Sequence, residues 1–206
     1  MAEINNKQVP ITLIPLEYIN VLFRYLSQTV SLPGDVIEIG VYKGGSLYRM
    51  AKYIQQHHSK DFKGKKVIGI DTFEGHPYHN PEVDPSHHFT GRFSDASFEE
   101  VIEALAPLRF VKVLKGECME VFTKLPADQQ FCFAHIDADI AQSAVASIMH
   151  IFPRLSPGGV IVFDEYQGYG QEAFINEYFA DKEVRLLPRT GLPSGKDYGL
   201  IVLKEW

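Results

Sequence analysis

Two short apolar runs, each closed by acids, bracket residues 131–166. Phe131-Cys132-Phe133-Ala134-His135-Ile136 ends in Asp137 and Asp139, and Val160-Ile161-Val162-Phe163 ends in Asp164 and Glu165. Between them Ala144, Val145, Ile148, Ile151 and Phe152 recur at helical spacing, and Pro157-Gly158-Gly159 is expected to stop that helix and turn the chain. The pattern is a strand-helix-strand unit. Parallel strands joined by a right-handed crossover present both carboxyl ends at one edge of a sheet, about 4.8 Å apart, so the four carboxylates are expected to converge. Like charges held so close raise one another's pKa unless a cation compensates them, and that edge is where open α/β sheets hold ligands. Acids at strand ends also simply cap the next helix or face water, so the cluster alone leaves both readings open.

The rest of the chain repeats the alternation. Leu16, Ile19, Val21, Leu22, Tyr25 and Leu26 make an amphipathic helix of Pro15 to Val30, expected to pack near the first strand or to cover the ligand edge. Asp35–Ile39 reads as the first strand, and Gly40-Val41-Tyr42-Lys43-Gly44-Gly45-Ser46 as a glycine-rich turn into a helix over 47–57. Such a turn lets backbone approach a ligand, and the helix N-terminus offers free N–H groups. Its spacing is neither Gly-x-Gly-x-x-Gly nor that of a P-loop. Val67-Ile68-Gly69-Ile70-Asp71 is a second strand whose terminal acid is well placed to accept ribose hydroxyls. Together, turn and acid point to a nucleoside-containing ligand.

Further helices are expected over 97–106, 118–125 and 171–179. Strands are expected over 110–114, 184–187 and 200–203, the last two as a hairpin turning around 191–195. Residues 72–95 carry three prolines and His76, His79, His87 and His88 without periodicity, and loops that long are usually functional or disordered. The histidines lack His-Glu-x-x-His spacing, which favours a substrate-side lid over a zinc site, with each histidine exposed.

Composition narrows the functional classes. A chain of 206 residues and 23.3 kDa suits one α/β domain. Net charge of −6, a pI near 5.7 and only a local basic turn (Lys60, Lys63, Lys65, Lys66) argue against nucleic acid as a partner. Cys118 and Cys132 read as reduced core residues. The stretch from Met1 to Lys7 has no signal-peptide pattern and no apolar run reaches the ~18 residues of a bilayer span, so a cytoplasmic protein without a membrane partner is expected.

Glu38 with Gly40-x-x-x-Gly44-Gly45-Ser46, Asp71-Thr72-Phe73-Glu74-Gly75, Ile136-Asp137-Ala138-Asp139, Leu155-Ser156-Pro157-Gly158-Gly159 and Asp164-Glu165-Tyr166 resemble, in order and spacing, the macrocin O-methyltransferase family. The likeness covers roughly residues 30 to 175, and order and spacing together carry its specificity. It implies an α/β fold of the Rossmann-like class I methyltransferase type: a mostly parallel seven-stranded sheet, helices on both faces and a C-terminal antiparallel hairpin. Length and periodicity add a single domain over 1–206, with a helical cap at 1–30 and the 72–95 lid. By the family resemblance, S-adenosylmethionine would lie with its methionine part against Glu38, Gly40 and Ser46, its ribose on Asp71 and its adenine near Gly116 and Glu117. Asp137, Asp164 and Glu165 would ligate Mg2+, for which carboxylate oxygens are suitable hard donors, and Asp139 would be the general base. The implied acceptor is a small hydroxylated molecule, sugar or polyketide-like; its hydroxyl has a pKa of about 15.7 in water's range and needs a metal and a base to give up its proton. A homodimer is compatible with Phe174, Tyr178 and Phe179 on one helix.

The chain departs from the family pattern at Ala141 and Ala144, which stand where a Tyr and a Thr are usual and leave Ser143, and at Glu165, which replaces an Asp. Ile140 stands where catechol-type enzymes carry a lysine base. Two other readings stay open: a metal-independent methyltransferase with Asp139 or a lid histidine as base, and a cofactor-binding protein without catalysis.

Overall fold

The computed structural model describes residues 9–166, 170–188 and 199–205. Strands β1 (Asp35–Ile39), β2 (Val67–Asp71), β3 (Val111–Lys115), β4 (Phe131–Ile136) and β5 (Leu155–Phe163) are parallel, in the order β3-β2-β1-β4-β5. β7 (Leu200–Lys204) lies antiparallel against β5, and β6 (Val184–Pro188) completes the seven-stranded sheet outside it. Central strands buried on both faces read as continuous apolar runs, which is why β4 is buried at every position.

Two cores cover the two faces. Helices α1 (Leu16–Thr29), α2 (Gly45–His57) and α3 (Phe98–Leu105) supply Leu22, Leu26, Leu47, Met50 and Val101 to one, against Val36, Phe133 and Val162. Helices α4 (Cys118–Phe122), α5 (Ala141–Ile151) and α6 (Gln171–Phe179) supply Phe122, Ile148 and Ile175 to the other, against Ile37, Ile70 and Phe163. Successive residues of a strand face opposite sides. Glu38, between Ile37 and Ile39, therefore faces the α1 and α2 layer.

Three boundaries differ from expectation. α5 ends at Ile151 and passes through a 3-10 turn, Phe152–Arg154, containing Pro153; this proline, not Pro157, stops the helix. β5 then begins at Leu155. Phe131 stands opposite Leu155 and Phe133 opposite Val160, so the intervening residues with Gly158 at φ 77° are absorbed as a bulge within the strand. α4 is a single short turn closing at Phe122, short of residue 125. The hairpin turn expected at 191–195 lies outside the described residues.

Upstream of α1, the segment 9–15 crosses the start of α2. A Cβ on Gly45 would fall 2.3 Å from the Ile11 carbonyl oxygen, and Arg49 Nη1 donates to the carbonyls of Pro10 (3.1 Å) and Gly45 (3.0 Å). The helix α1 itself packs on α2, β4 and β5.

Candidate active site

The strand order reverses between β1 and β4, and the register there is level: Ile39 faces Ile70 on one side and Ile136 on the other, and Ile136 faces Phe163. The chain therefore leaves β1, β4 and β5 at one height, delivering Gly40, Asp137 and Asp164 beside the terminal Asp71 of β2. A cavity of about 420 Å3 opens at this point. Every residue expected at the site lines it except Glu38: Gly40, Ser46, Asp71, Gly116, Glu117, Asp137, Asp139, Asp164 and Glu165 all do.

Glu38 lies beneath the cavity. It is fully buried opposite His135 in the β1–β4 register, with His135 Nδ1 2.8 Å from Oε1, while Glu38 Oε2 and His135 Nε2 are buried without hydrogen-bond partners among the described residues. The glycine turn is shaped by the protein's own packing. At Gly40, φ is 86° and a Cβ would stand 1.8 Å from the Asp137 carbonyl oxygen, so no other residue fits where β1 and β4 end together. Asp71 clasps the turn: Oδ2 accepts the N–H groups of Val41 and Tyr42 and Oδ1 that of Phe73, each at 2.7 Å. A carboxylate has about four acceptor sites, so roughly one remains for a ligand. Glu117 caps α4 by accepting from Met119 N (3.0 Å) and Glu120 N (3.4 Å), and Gly116 N donates to the Asp71 carbonyl at 2.8 Å.

The acids converge as the strand-helix-strand pattern requires. Burial, and then the charges of Asp164, Asp139, Glu165 and Glu38, hold the Asp137 carboxyl well above the usual carboxylate range. Asp139 occupies the left-handed region at φ 61°, an uncommon conformation for a residue other than glycine.

The expected exposure of the loop histidines fails at two positions. His76 and His88 are buried, with 8% and 2% of their surface exposed, and both face Asp139. His76 Nε2 stands 3.1 Å from Asp139 Oδ2 and His88 Nδ1 3.7 Å from Oδ1, while His88 Nε2 is 3.8 Å from Glu165 Oε2. Burial pushes the His88 imidazole down to about 4. Asp84, Tyr78 and the cavity-lining residues Ile11 to Ile14 were likewise not signalled by any motif.

A family model described as macrocin O-methyltransferase (TylF) matches residues 17–186. The chain belongs to this family. Among curated relatives, it is 28% identical over 161 residues to the 8-demethyl-8-(2,3-dimethoxy-alpha-L-rhamnosyl)-tetracenomycin-C 4'-O-methyltransferase of Streptomyces olivaceus, covering 69% of this chain and 58% of that protein. It is 23% identical over 171 residues to the mycinamicin III 3''-O-methyltransferase of Micromonospora griseorubida, covering 75% of this chain and 65% of the relative. The matched region thus spans less than two thirds of those relatives. The solved structure of the O-methyltransferase NovP superposes with a TM-score of 0.79 at 20% identity, covering 95% of this chain and 82% of that one. The sheet is the Rossmann-like class I methyltransferase fold.

Within the macrocin O-methyltransferase frame, the chain's departures have local explanations. Ala141 contributes backbone: its N–H donates to Asp84 Oδ1 at 2.8 Å, and Asp84 Oδ2 accepts Asn80 N at 2.8 Å, so a buried acid from the 72–95 segment caps α5. Ser143 keeps a partner in the Tyr78 hydroxyl, 3.1 Å away. Glu165 reaches the cavity beside Asp164 because β5 ends at Phe163, so strand alternation no longer governs it. Among the described residues no helix is long and apolar enough to cross a membrane.

Proposed function

We propose that this chain is an S-adenosylmethionine-dependent O-methyltransferase that uses Mg2+ and acts on a hydroxyl of a small sugar or polyketide-like molecule. The observation carrying this reading is the meeting, in one cavity, of a backbone turn clasped by Asp71 with the carboxylates of Asp137, Asp164 and Glu165. Relatives are named as O-methyltransferases of a rhamnosyl-tetracenomycin and of mycinamicin III, which supports the acceptor class.

The donor set fits both groups. Asp137, Asp164 and Glu165 offer hard oxygens, and the raised Asp137 carboxyl marks an excess of negative charge that a divalent cation offsets. S-adenosylmethionine supplies an electrophilic methyl group, and Mg2+ supplies the charge that acidifies a hydroxyl. Gly40, packed on the Asp137 carbonyl, bends the turn that lies against the methionine part, Ser46 in the first turn of α2 meets the methionine carboxylate, and Asp71 offers its remaining acceptor site to a ribose hydroxyl. Gly116 and Glu117 flank the adenine. Glu38 acts from below, as part of the buried support under the turn. Asp139 takes the acceptor's proton, with the His76 ring beside its Oδ2 fixing the carboxylate's orientation. Residues 72–95 form the lid over the acceptor, within one domain, and the cytoplasm remains the expected compartment.

A second reading, transfer without a metal, is favoured by that same His76 contact, because a histidine-aspartate pair is a base in its own right. Calorimetric titration of S-adenosylhomocysteine and of Mg2+ into wild type and Asp137→Ala separates the two. Cofactor binding with Mg2+ binding that Asp137→Ala abolishes supports the metal-dependent enzyme. Cofactor binding with no Mg2+ binding moves the assignment to the metal-free one. Absence of cofactor binding overturns both.

A further inference from the structure

The four histidines of 72–95 have no metal-binding spacing in sequence, yet backbone pairing within the segment carries two of them to one carboxylate. His76 N donates to the Arg92 carbonyl at 3.0 Å and Gly91 N returns to the His76 carbonyl at 2.9 Å, closing the segment on itself. His88 lies inside that closure, in a turn where its N–H donates to the Pro85 carbonyl at 2.9 Å. The two imidazoles stack at 5.4 Å between centroids, and both rings turn a nitrogen towards Asp139.

We propose that His76, His88 and Asp139 form a second metal centre, one for a transition ion such as Zn2+ or Co2+ and separate from the all-carboxylate Mg2+ set. Donors bonded at about 2.0–2.2 Å to a tetrahedral ion stand about 3.4 Å from one another. His76 Nε2 lies 3.1 Å from Asp139 Oδ2 and His88 Nδ1 3.7 Å from Oδ1, so each imidazole stands near that separation from one oxygen of the carboxylate, and one ligand atom from each of the three residues lies within 4.8 Å of the others. Two imidazoles and one carboxylate are a donor set for borderline transition ions, whereas Mg2+ favours oxygens throughout. With His88 Nδ1 on the ion, its Nε2 lies on the side of Glu165, whose Oε2 is 3.8 Å away and beyond direct hydrogen-bond reach. His76, His88 and Asp139 all line the cavity, so an open coordination position faces it. Under the methyltransferase reading above, on which this consequence rests, an ion held here occupies the proposed base and pins the 72–95 segment shut. It inhibits turnover.

The test is direct binding to the full chain after chelator treatment. Co2+ is titrated and its visible absorption recorded, for wild type, His76→Gln, His88→Gln and Asp137→Asn, with Mg2+ titrated calorimetrically in parallel. With excess Mg2+ present to occupy the all-carboxylate set, one equivalent of Co2+ is expected in wild type and Asp137→Asn, weakened at least about 100-fold in each histidine variant, which removes a ligand outright. Mg2+ binding is expected to show the opposite dependence, lost in Asp137→Asn and kept in the histidine variants. X-ray absorption of the Zn2+-loaded wild type needs no variant and should show two imidazole ligands. Co2+ binding indifferent to both histidines, an absorption edge without imidazole scattering, or no binding of either ion above background would each overturn the second centre. Failure of the Mg2+ titration alone would overturn only the Mg2+ assignment.

Discussion

The Asp84 carboxylate accepts the backbone N–H of Ala141 at 2.8 Å, across 57 residues of chain. An irregular segment thereby supplies the cap that α5 lacks from its own sequence, since Ile140 at the N-cap position has no side chain able to accept. Asp84→Ala is expected to cost about 1–2 kcal/mol of stability. It should also raise amide hydrogen exchange across 76–92 and at the start of α5 together; exchange rising in only one of the two would show that they are not joined here.

Gly40→Ala should be severe. The new methyl would lie 1.8 Å from the Asp137 carbonyl at a φ of 86°, a backbone clash added to left-handed strain, costing about 3 kcal/mol or more. Gly64→Ala is the matched control: φ is 84° but nothing among the described residues lies within 4 Å of the added methyl, so only strain of about 1 kcal/mol applies. Urea denaturation of the two variants measures the difference.

Asp137 links stability to pH. Its folded carboxyl titrates above the ordinary value of 3.8, so between those limits the folded chain keeps a proton that the unfolded chain has lost. Stability from this group therefore falls as pH rises through that window, and the penalty persists above it. Asp137→Asn is expected to raise Tm at pH 8 in chelator, to give little gain near pH 4, and to remove any Tm increase on adding Mg2+. Thermal scans at both pH values check the sign.

His150 works in the other direction. It stacks on Phe122 at 4.2 Å and 5°, and burial, with a smaller effect from Arg154, pushes its pKa from 6.5 down to about 4. Between those values the unfolded chain binds a proton that the folded chain refuses, so stability is lost as pH falls through the window. His150→Phe, which can keep the stacking, should flatten the dependence between pH 6.5 and 4, measured by denaturant midpoints.

The buried Glu38–His135 pair predicts asymmetry between single and double variants. His135→Ala strands a carboxylate that lacks a partner at Oε2 among the described residues and is expected to cost about 3–5 kcal/mol. Glu38→Gln in that background should recover part of the loss. If the effects simply add, the pair is not an energetic unit.

Legibility followed the range of the signal. Each apolar run from β1 to β5 and the acid after it could be read, because strand periodicity is local and parallel topology then sends every strand end to one edge. The Pro157-Gly158-Gly159 stretch misled because a turn and a strand bulge use the same residues, and only pairing with β4 distinguishes them. His76 and His88 could not be placed on Asp139, since no local rule links an aperiodic segment to a side chain 63 residues away from His76. Glu38, expected beside the cofactor by resemblance, shares the α1 and α2 face of its strand with His135, a pairing that only the β1–β4 register reveals.

The segment that crosses Gly45 has one more bearing. Ile11, Thr12 and Leu13 form part of the cavity wall, yet the family match begins only at residue 17. Part of the vessel's wall is thus made by chain that precedes the matched residues 17–186. Cutting at residue 15 would take Ile14 out of the first core and one side off the vessel at once, so this stretch ties the shape of the cavity to the packing beneath α1.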